Sequence, residues 1–458
     1  MSVPNRSRGA AEQRAARSFV ARAIVLPAQR FIHTETIGAG VLLVAALAAL
    51  VWANSPAGDG YRALWETKLT FDFGVLTLEE DLRHWVNDAL MAVFFFVVGL
   101  EVKRELVHGQ LNAWKRASLP LAAAVGGVAV PAGIYLALNP SGEAVRGWGV
   151  PVATDIAFAL GALSLVGDRA PFETRVFLLA LAAIDDIVAI LIIAIFYSSD
   201  LSLIWLGAAA GFVCLLPLLN RLGVRDVKLY VFVGIALWLA VFESGIHATI
   251  AGVALGLLTP SWPYFDRRAF DAAASELLPR YREAIAAGEM ERADSVLGQL
   301  EELARETESP LDRRIRKIHP WSSFFVLPLF ALANAGVEVS AGMLGEAFAS
   351  PVTWGVILGL VVGKPIGILL VSFLAVKTRI SELPKELGWV EIAALGAVAG
   401  IGFTVSLFIT DLAFADEQLA EQTKVGVLAA SFAAGVAGYL LLKYVAKDRE
   451  PGAQPSSH

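Results

Sequence analysis

The chain has 458 residues, of which 56% are hydrophobic and 17% are charged, and its mean hydropathy is +0.62. A soluble domain carries about 25% charged residues, so this composition excludes an ordinary soluble protein. The formal net charge of −6 says little by itself, because the distribution of charge along the chain carries the information. The single cysteine, Cys214, excludes an internal disulfide and is predicted to be a small buried residue, since it lies in an apolar stretch.

Long apolar stretches recur along most of the chain, and each is near the ~20 residues that cross a bilayer as a helix. The sequence therefore predicts an all-α polytopic membrane protein with about twelve transmembrane helices. The predicted spans lie near residues 36–54, 84–106, 117–138, 150–166, 174–197, 201–221, 227–243, 246–259, 320–337, 353–376, 389–413 and 422–446.

The positive charges predict an orientation. Of the 37 Lys and Arg residues, 31 lie in segments that this topology places inside, five lie outside and one lies within a span. Because Lys and Arg concentrate in cytoplasmic loops, both termini are predicted to be cytoplasmic. Residues 1–35 then form a basic cytoplasmic N-terminal tail and residues 448–458 a cytoplasmic C-terminal tail. The Arg-rich N-terminal tail also resembles a transit peptide, and whether it is processed stays open.

Two unusual connections divide the membrane part. Residues 66–79 alternate apolar and polar residues, which predicts a small β-hairpin on the outer side within the first membrane region, residues 36–260. Residues 261–319 form a charged cytoplasmic insert, predicted to hold one or two solvent-exposed helices. The sequence assigns no partner to the insert, and a solvated surface without a partner is the simpler interpretation. The last four spans follow in residues 320–447.

Two adjacent carboxylates, Asp185 and Asp186, lie in the middle of the apolar run 174–197. Each charge at the centre of a span costs about 2.5–3.5 kcal/mol on the insertion scale, and nothing in packing requires it. Neighbouring Ser or Lys side chains could satisfy the pair, which would then serve only helix contacts. We favour a transport role, in which positions about 100° apart on the helix give the two acids different surroundings.

Lys364 is a candidate partner for these acids, because it lies near the middle of the predicted span 353–376. Snorkelling to the interface is the alternative, but the depth of Lys364 argues against it. Pro365 follows directly and removes a backbone donor. Broken backbone at membrane depth is tolerated only where it is buried in protein or lines a cavity. The sequence therefore predicts a break in this tenth span.

A second break is predicted at residues 150–161, where a proline precedes Thr154 and Asp155. Asp155 could simply cap a helix, or it could offset the positive end of a half-helix in a broken span. Interrupted segments at corresponding positions of two halves indicate an inverted-repeat transporter. In the eleventh span, residues 397–409 add glycines that allow close helix approach and the hydroxyl oxygen of Thr404.

Five further polar residues lie near span ends. Asp88 is near the outer end of the second span, and Glu101 and Glu105 are near its inner end. For Glu105, an ion pair at the membrane interface is as good an interpretation as a role in transport. His247 and His319 are more simply polar anchors than switches, although histidine titrates in the physiological range.

Seven motifs, in this order, resemble the NhaA-type sodium/proton antiporters of bacterial membranes. They are WVNDALMAVFFFVVGLEVKREL, VPVATDIAFALG, LALAAIDDIVAILIIAIFY, GIHATIAG, HPWSSFFVLPLFALANAG, GKPIGI and GIGFTVSLFI, and outside the insert the resemblance covers residues from about 31 to 446. Their combination is specific, whereas a single motif would not be. The resemblance implies NhaA-like inverted repeats with two broken crossing helices, in span 4 and in span 10 or 11, an architecture of which this family is a recognised example.

The resemblance also implies roles for individual residues. Asp186 matches the acid that binds sodium and protons, and Asp185 matches its neighbour, which can pair with the lysine that Lys364 matches. Residues near the site are Thr154 and Asp155, at the crossing of the broken helices, and Thr404. The remaining implied roles are the ion pathway for Asp88 and Glu101, and the response to pH for His247, His319 and Glu105.

The sequence departs from the family in two ways. The chain is longer than is usual, because of the N-terminal tail and the insert. The family usually carries an acid one turn before the HPW motif, and here Ile315 occupies that position among four basic residues, Arg313, Arg314, Arg316 and Lys317. This difference puts the family's pH sensing in doubt for this chain, but it leaves the predicted ion site untouched.

The resulting prediction is a secondary transporter and not an enzyme. It exchanges cytoplasmic sodium or lithium for external protons, is electrogenic and is driven by the proton gradient, for sodium and pH homeostasis. No cofactor is expected, since sodium or lithium and protons are the transported substrates and Asp185 and Asp186 hold sodium transiently. The expected location is the bacterial inner membrane, with lipid and a second copy of the chain as partners and no nucleic acid. The resemblance places the dimer contact at the outer hairpin.

A sodium-coupled symporter of a small organic anion is the alternative. It would need a larger polar cavity and an anion-binding group, and only Lys364 offers one inside the membrane. A structural or sensor membrane protein would predict that neutralising the buried charges stabilises the fold at no functional cost. A channel fits less well, because a tight pair of acids suits occlusion better than conduction.

Overall fold

The computed structural model describes residues 26–72, 77–167, 172–198, 201–224, 227–263, 266–384 and 386–447. Residues 1–25 of the predicted N-terminal tail and the predicted C-terminal tail, residues 448–458, lie outside the described residues. Helices make up most of what is described, as the sequence predicts for a polytopic membrane protein.

The elements follow one another in chain order. The first half contains α1 (Leu26–Ala53), α2 (Gly58–Trp65), β1 (Lys68–Asp72), β2 (Thr77–Asp81), α3 (Leu82–Val107), α4 (Trp114–Leu138), a 3₁₀ helix (Glu143–Val152), α5 (Ile156–Leu165), α6 (Phe172–Phe196), α7 (Leu203–Arg221), α8 (Val227–Phe242) and α9 (Thr249–Leu258). The second half contains α10 (Arg267–Ala287), α11 (Met290–Thr307), α12 (Pro310–Trp321), α13 (Leu327–Asn334), α14 (Ala341–Ala349), α15 (Pro351–Lys377), α16 (Trp389–Ala399), α17 (Phe403–Ala413) and α18 (Glu417–Lys447).

Seven helices of the described chain are long and apolar enough to cross a membrane, namely α1, α3, α4, α6, α7, α15 and α18. Two further pairs are each bent at a short break, by 41° between the 3₁₀ helix and α5 and by 48° between α16 and α17. Counting each pair as one span gives nine within the same residues. The shorter apolar helices α8 and α9 lie where two further spans are predicted, and the number twelve stays a prediction.

Contacts between Cα atoms divide the chain into two compact units. The first contains Met1–Leu64, Leu119–Asp185 and Leu327–His458, and the second contains Trp65–Ser118 and Asp186–Val326. One boundary between the two units falls between Asp185 and Asp186, in the middle of α6. In the first unit, α1 packs on α5 and α13, and α18 packs on α15, α16 and α17. In the second unit, α3 packs on α9 and α12.

The second unit begins with the strand pair. β1 and β2 pair antiparallel, with Lys68 opposite Asp81. They lie where the sequence predicts a hairpin, but β2 ends at Asp81, two residues beyond the predicted range 66–79. Asp81 then caps α3, because its carboxylate accepts the backbone N–H of His84 at 2.8 Å. Burial raises the pKa of Asp81, but hydrogen bonds from the backbone and the ring of His84 outweigh it and lower that pKa. The side of the membrane stays a prediction.

The insert forms α10 and α11, which pack on each other, followed by α12. This is more helix than the one or two predicted, because Pro310 starts a further helix that runs through a π-helical turn, Ser322–Val326, into α13. The side chains of α10 and α11 are mostly exposed, and the buried ones include Ala284, Ala293 and Val296.

Two predictions from the sequence are wrong. The tenth span does not break at Lys364, because α15 runs from Pro351 to Lys377 and absorbs the missing donor of Pro365 in a π-helical turn, Gly359–Gly363. Cys214 is exposed and not buried. Its helix α7 buries few residues, so an apolar stretch here does not imply a position in the protein core.

Candidate functional site

The two bent pairs of helices cross in the first unit. Residues 153–155 are extended between the 3₁₀ helix and α5, and residues 400–402 lie between α16 and α17. The backbone N–H of Asp155 donates to the carbonyl of Ile401 at 2.6 Å, which joins the two breaks. The crossing therefore involves spans 4 and 11, and of the two spans considered for the second break the eleventh is the bent one.

Asp155 combines both roles that the sequence left open. Its Oδ1 accepts the backbone N–H of Phe158 at 3.1 Å, which caps α5. Its Oδ2 accepts the backbone N–H of Thr404 at 3.0 Å and the hydroxyl of the same residue at 2.5 Å. Asp155 therefore caps one half-helix and at the same time receives the N-terminus of α17, where the helix dipole is positive.

Asp185 and Lys364 form an ion pair that is closed to solvent. Lys364 Nζ lies 3.1 Å from Asp185 Oδ2, and both side chains are 0% exposed. The ammonium group also donates to the backbone carbonyl of Val152, at the end of the 3₁₀ helix. Removing two charges from water is expensive, and a buried pair often contributes no more stability than apolar residues would. Stability alone therefore does not explain the pair, which points to a functional reason for it.

The surroundings of Asp185 leave one oxygen open. The hydroxyl of Thr154 lies 2.7 Å from Asp185 Oδ2 and 3.0 Å from the carbonyl of Ala399, so its one hydrogen serves one of the two at a time. Among the described residues, the buried Oδ1 of Asp185 has no hydrogen-bond partner. Oxygen ligands suit hard cations such as sodium, and this oxygen, the hydroxyl and the carbonyl are the groups here that could hold one.

Asp186 follows Asp185 on α6, and its residue is 6% exposed. It lies on the other side of the division between the two units. Its predicted role in ion binding therefore stays a prediction that rests on the motif, while Asp185, Lys364, Thr154 and Asp155 are placed together by the structure.

The remaining predicted residues lie in the second unit, in several separate places. The backbone carbonyl of Asp88 accepts from the indole N–H of Trp238 at 3.0 Å. The Nε2 of His247 lies 2.7 Å from the carbonyl of Tyr197, a contact suited to an anchor. The carboxylate of Glu105 accepts the backbone N–H of Gln110 at 3.0 Å. None of these contacts tests the predicted roles in the ion pathway or the response to pH.

Glu101 and His319 approach each other in the second unit. His319 Nε2 lies 3.6 Å from Glu101 Oε1, with side chains that are 13% and 20% exposed. One turn before His319, Ile315 packs against Leu100 and Leu311 in a buried apolar cluster. The position where the family usually has an acid is therefore part of an apolar contact between α12 and α3 in this chain.

Two glycines let α4 and α15 approach closely beside the ion pair. A Cβ built on Gly126 would lie 2.0 Å from the backbone oxygen of Gly367, and one on Gly367 would lie 2.1 Å from the oxygen of Gly126. One residue further along α4, a Cβ on Gly127 would lie 3.8 Å from the Cε of Lys364. The side chain of Lys364 therefore passes close to α4 beside this helix contact.

Gly126→Ala should destabilise the protein by about 1–3 kcal/mol, because an added methyl group cannot fit against a backbone oxygen and the helices must separate. Gly133→Ala is the matched control on the same helix, since nothing lies within 4 Å of its added Cβ. The control should be neutral or slightly stabilising, as alanine is a better helix former. Thermal unfolding in detergent measures both, and equal melting temperatures for the two variants would contradict the close contact.

Several partners in the site escape analysis of the sequence. They are the carbonyls of Val152, Ala399 and Ile401, and the hydroxyl of Ser431, which accepts the backbone N–H of Phe403 at 3.2 Å. Helix-breaking Pro and Gly residues near the crossing indicate that some carbonyls are free, but not which of them turn toward the site.

The sequence matches the model of the family described as Na+/H+ antiporter 1 over residues 29–442. A curated relative from Oleidesulfovibrio alaskensis, named Na(+)/H(+) antiporter NhaA, is 45% identical over 93% of this chain and 96% of its own length. Another from Pseudomonas putida F1, named Na(+)/H(+) antiporter NhaA 2, is 46% identical over 90% of this chain and 91% of its own.

A solved structure shares the fold. The sodium proton antiporter MjNhaP1 from Methanocaldococcus jannaschii, at pH 8, superposes with a TM-score of 0.51, covering 92% of this chain and 98% of the other. At 12% identity, this similarity concerns the fold alone. The family model and the relatives extend over most of the chain and confirm the resemblance drawn from the seven motifs. The chain belongs to the NhaA family of Na+/H+ antiporters.

Proposed function

We propose that this protein exchanges sodium or lithium for protons at the crossing of its two bent spans. The observation that carries the proposal is the ion pair between Lys364 and Asp185, which is closed to solvent and leaves Asp185 Oδ1 without a hydrogen-bond partner among the described residues. An acid that already has a cationic partner and a spare oxygen suits a site where one cation replaces another. The names of the family and of its members support the same activity.

Competition between ions would couple the two fluxes. A proton and a sodium ion both bind to the oxygens of an ionised carboxylate. Sodium needs the deprotonated oxygens, so sodium and protons exclude each other from Asp185 and Asp186. When sodium binds, it takes the place of the Lys364 ammonium beside Asp185, and the lysine releases its proton.

The exchange is electrogenic if more protons than sodium ions move in each cycle. Each net charge then gains about 2.3 kcal/mol per 100 mV of membrane potential. The proton gradient would drive cytoplasmic sodium or lithium outward, which serves sodium and pH homeostasis. Asp88 and Glu101 would lie on the ion pathway, while Glu105, His247 and His319 would take part in the response to pH.

We further propose twelve spans arranged in inverted repeats in the bacterial inner membrane, with both termini cytoplasmic. The two bent pairs support the repeats, because each is a helix interrupted at one corresponding place. The protein would form a homodimer through β1 and β2, which present exposed apolar side chains such as Leu69 and Phe71 and an open strand edge.

Proton movement in inside-out vesicles tests the proposed function. Vesicles that contain the protein are acidified, and a pH-sensitive dye reports proton exit after NaCl, LiCl or KCl is added across a series of pH values. We expect rapid proton exit with sodium or lithium and none with potassium. Failure to respond to any of the three salts at every pH would contradict exchange and favour a sodium-coupled symporter of an organic anion.

A further inference from the structure

The helix α17 begins at Phe403 without a capping side chain of its own. Its N-cap residue is Gly402, which has no side chain and makes no capping hydrogen bond. The first N–H groups of a helix have no acceptor within the helix, and buried ones must find an acceptor elsewhere. Phe403 and Thr404 are both buried, so their N–H groups depend on other parts of the chain.

Two different elements provide these acceptors. The carboxylate of Asp155 accepts the N–H of Thr404 at 3.0 Å, which belongs to the crossing of the bent spans. The N–H of Phe403 donates instead to the hydroxyl oxygen of Ser431 on α18, at 3.2 Å. Ser431 is 9% exposed and therefore largely closed to water. A neutral hydroxyl thus takes the first N–H of α17, and the charged acceptor stays with Thr404.

The helix that carries Ser431 runs without interruption beside the second break. α18 packs on both α16 and α17. Gly435 and Gly438 follow Ser431 by four and seven residues, which places them on the same face of α18. A Cβ built on Gly438 would lie 2.5 Å from Cγ2 of Val398, and one on Gly435 would lie 3.7 Å from Cδ1 of Ile401. This face therefore supports the interrupted span closely, and Ser431 adds a hydrogen bond to the support.

We propose that Ser431 is a positioning residue of the exchange site, because its hydroxyl caps α17 from a neighbouring helix and so sets where the second break lies. The carbonyl of Ala399, at the end of α16, lies 3.0 Å from the hydroxyl of Thr154. The carbonyl of Ile401, within the break, accepts the N–H of Asp155. The inference rests on the proposed function, since the Ala399 carbonyl is one of the groups that could hold sodium.

Loss of the Ser431 hydroxyl would leave the N–H of Phe403 unpaired inside the protein. A buried N–H without an acceptor is costly, so α17 should shift until this group finds another acceptor. The carboxylate of Asp155 serves the adjacent N–H group, and sharing it would turn α17 and weaken the contact with Thr404. Such a shift moves the carbonyls at the break, whereas the buried ion pair lies on other helices. The affinity for sodium should therefore suffer more than the maximal rate.

Two substitutions at Ser431 test the inference. Dye-reported proton exit is measured in inside-out vesicles with equal amounts of protein, while NaCl is titrated under reducing conditions, to give the KM for sodium and the maximal rate. Ser431→Ala should raise the KM roughly fivefold, the factor expected for one lost neutral hydrogen bond. The maximal rate should stay within about twofold, because the charged groups of the site are intact. Ser431→Cys should give an intermediate KM, since sulfur is a weak acceptor.

Thr423→Val is the matched control on the same helix. It also removes a hydroxyl from a residue that is 0% exposed, but this hydroxyl donates to the carbonyl of Leu419 within α18, at 2.7 Å. We expect Thr423→Val and Ser431→Ala to lower the melting temperature in detergent by similar amounts, and only Ser431→Ala to raise the KM for sodium.

The outcomes separate this inference from the proposed function. A wild type that exchanges normally, beside Ser431→Ala with an unchanged KM for sodium, would overturn the role of Ser431 alone. Equal rises of the KM in Ser431→Ala and Thr423→Val would do the same, because they would show a general effect of buried hydroxyls. If Ser431→Ala does not fold, an unchanged KM in Ser431→Cys overturns the role. A wild type that does not respond to sodium would overturn the proposed function and this inference with it.

Discussion

Asp186→Asn should abolish sodium-driven proton movement and leave the protein folded in the membrane. The substitution keeps the shape of the side chain and removes the only group on it that can bind a proton or carry charge. Asp186 is 6% exposed in the middle of α6, where Asn costs less to bury than a charged acid. Insertion should therefore be as good as in the wild type or better, while the dye response to NaCl and LiCl falls to that of empty vesicles.

Asp59→Asn is the matched control for this variant. It makes the same chemical change in an acid whose side chain is 98% exposed, and exchange should be unaffected. Protein level and thermal unfolding are measured for both variants, so that loss of exchange is separated from loss of protein. Robust sodium/proton exchange by a well-folded Asp186→Asn protein would refute the assignment of the site.

The charged side chains of the site are predictable because the membrane makes them conspicuous. Asp185, Asp186 and Lys364 stand out in apolar runs where each charge is expensive, and the sequence alone identifies them as functional candidates. Their pairing is a different matter. The resemblance implies that Lys364 pairs with Asp185, and the structure places Lys364 Nζ 3.1 Å from Asp185 Oδ2. The periodicity of apolar residues within either helix contains no information about this distance between the two helices.

The break in the tenth span shows where local signals fail. The run around Lys364 and Pro365 contains several glycines and reads as a broken helix. In the structure a π-helical turn, Gly359–Gly363, accommodates the proline and the helix continues. Whether a missing donor produces a break or a π turn depends on the neighbouring helices that pack against it. The glycines serve that packing instead, as the close approach of Gly126 and Gly367 demonstrates.

Partners provided by the backbone are likewise hidden from the sequence. The sequence shows that Thr154 and Thr404 offer hydroxyl groups. It does not show that the hydroxyl of Thr154 lies beside the carbonyl of Ala399, which is far away in the chain. Asp155 illustrates what the sequence can and cannot predict, because it both caps α5 and accepts a hydrogen bond from Thr404 of the other bent pair. The cap is a local feature that the sequence can suggest, whereas the bond to Thr404 exists only because two bent spans cross.

Lys364→Met should lower the free energy of unfolding by about 3–5 kcal/mol and stop exchange, because it leaves Asp185 as an uncompensated charge in a dry site. The double variant Lys364→Met/Asp185→Asn removes both charges and should recover most of the lost stability. It should not recover exchange, since the site then lacks the cation that sodium displaces. A coupling free energy above about 1 kcal/mol between the two single changes would demonstrate that the residues interact directly.

Lys424→Met provides the comparison that separates stability from transport. Lys424 also belongs to a largely buried ion pair, at 2.8 Å from Asp411, with side chains that are 8% and 17% exposed. This variant should lose stability for the same reason as Lys364→Met, yet keep sodium/proton exchange in vesicles that contain equal amounts of protein. If both lysine variants lost exchange equally, buried ion pairs in general would be limiting. If Lys364→Met exchanged normally, the displacement of lysine by sodium would have no part in the mechanism.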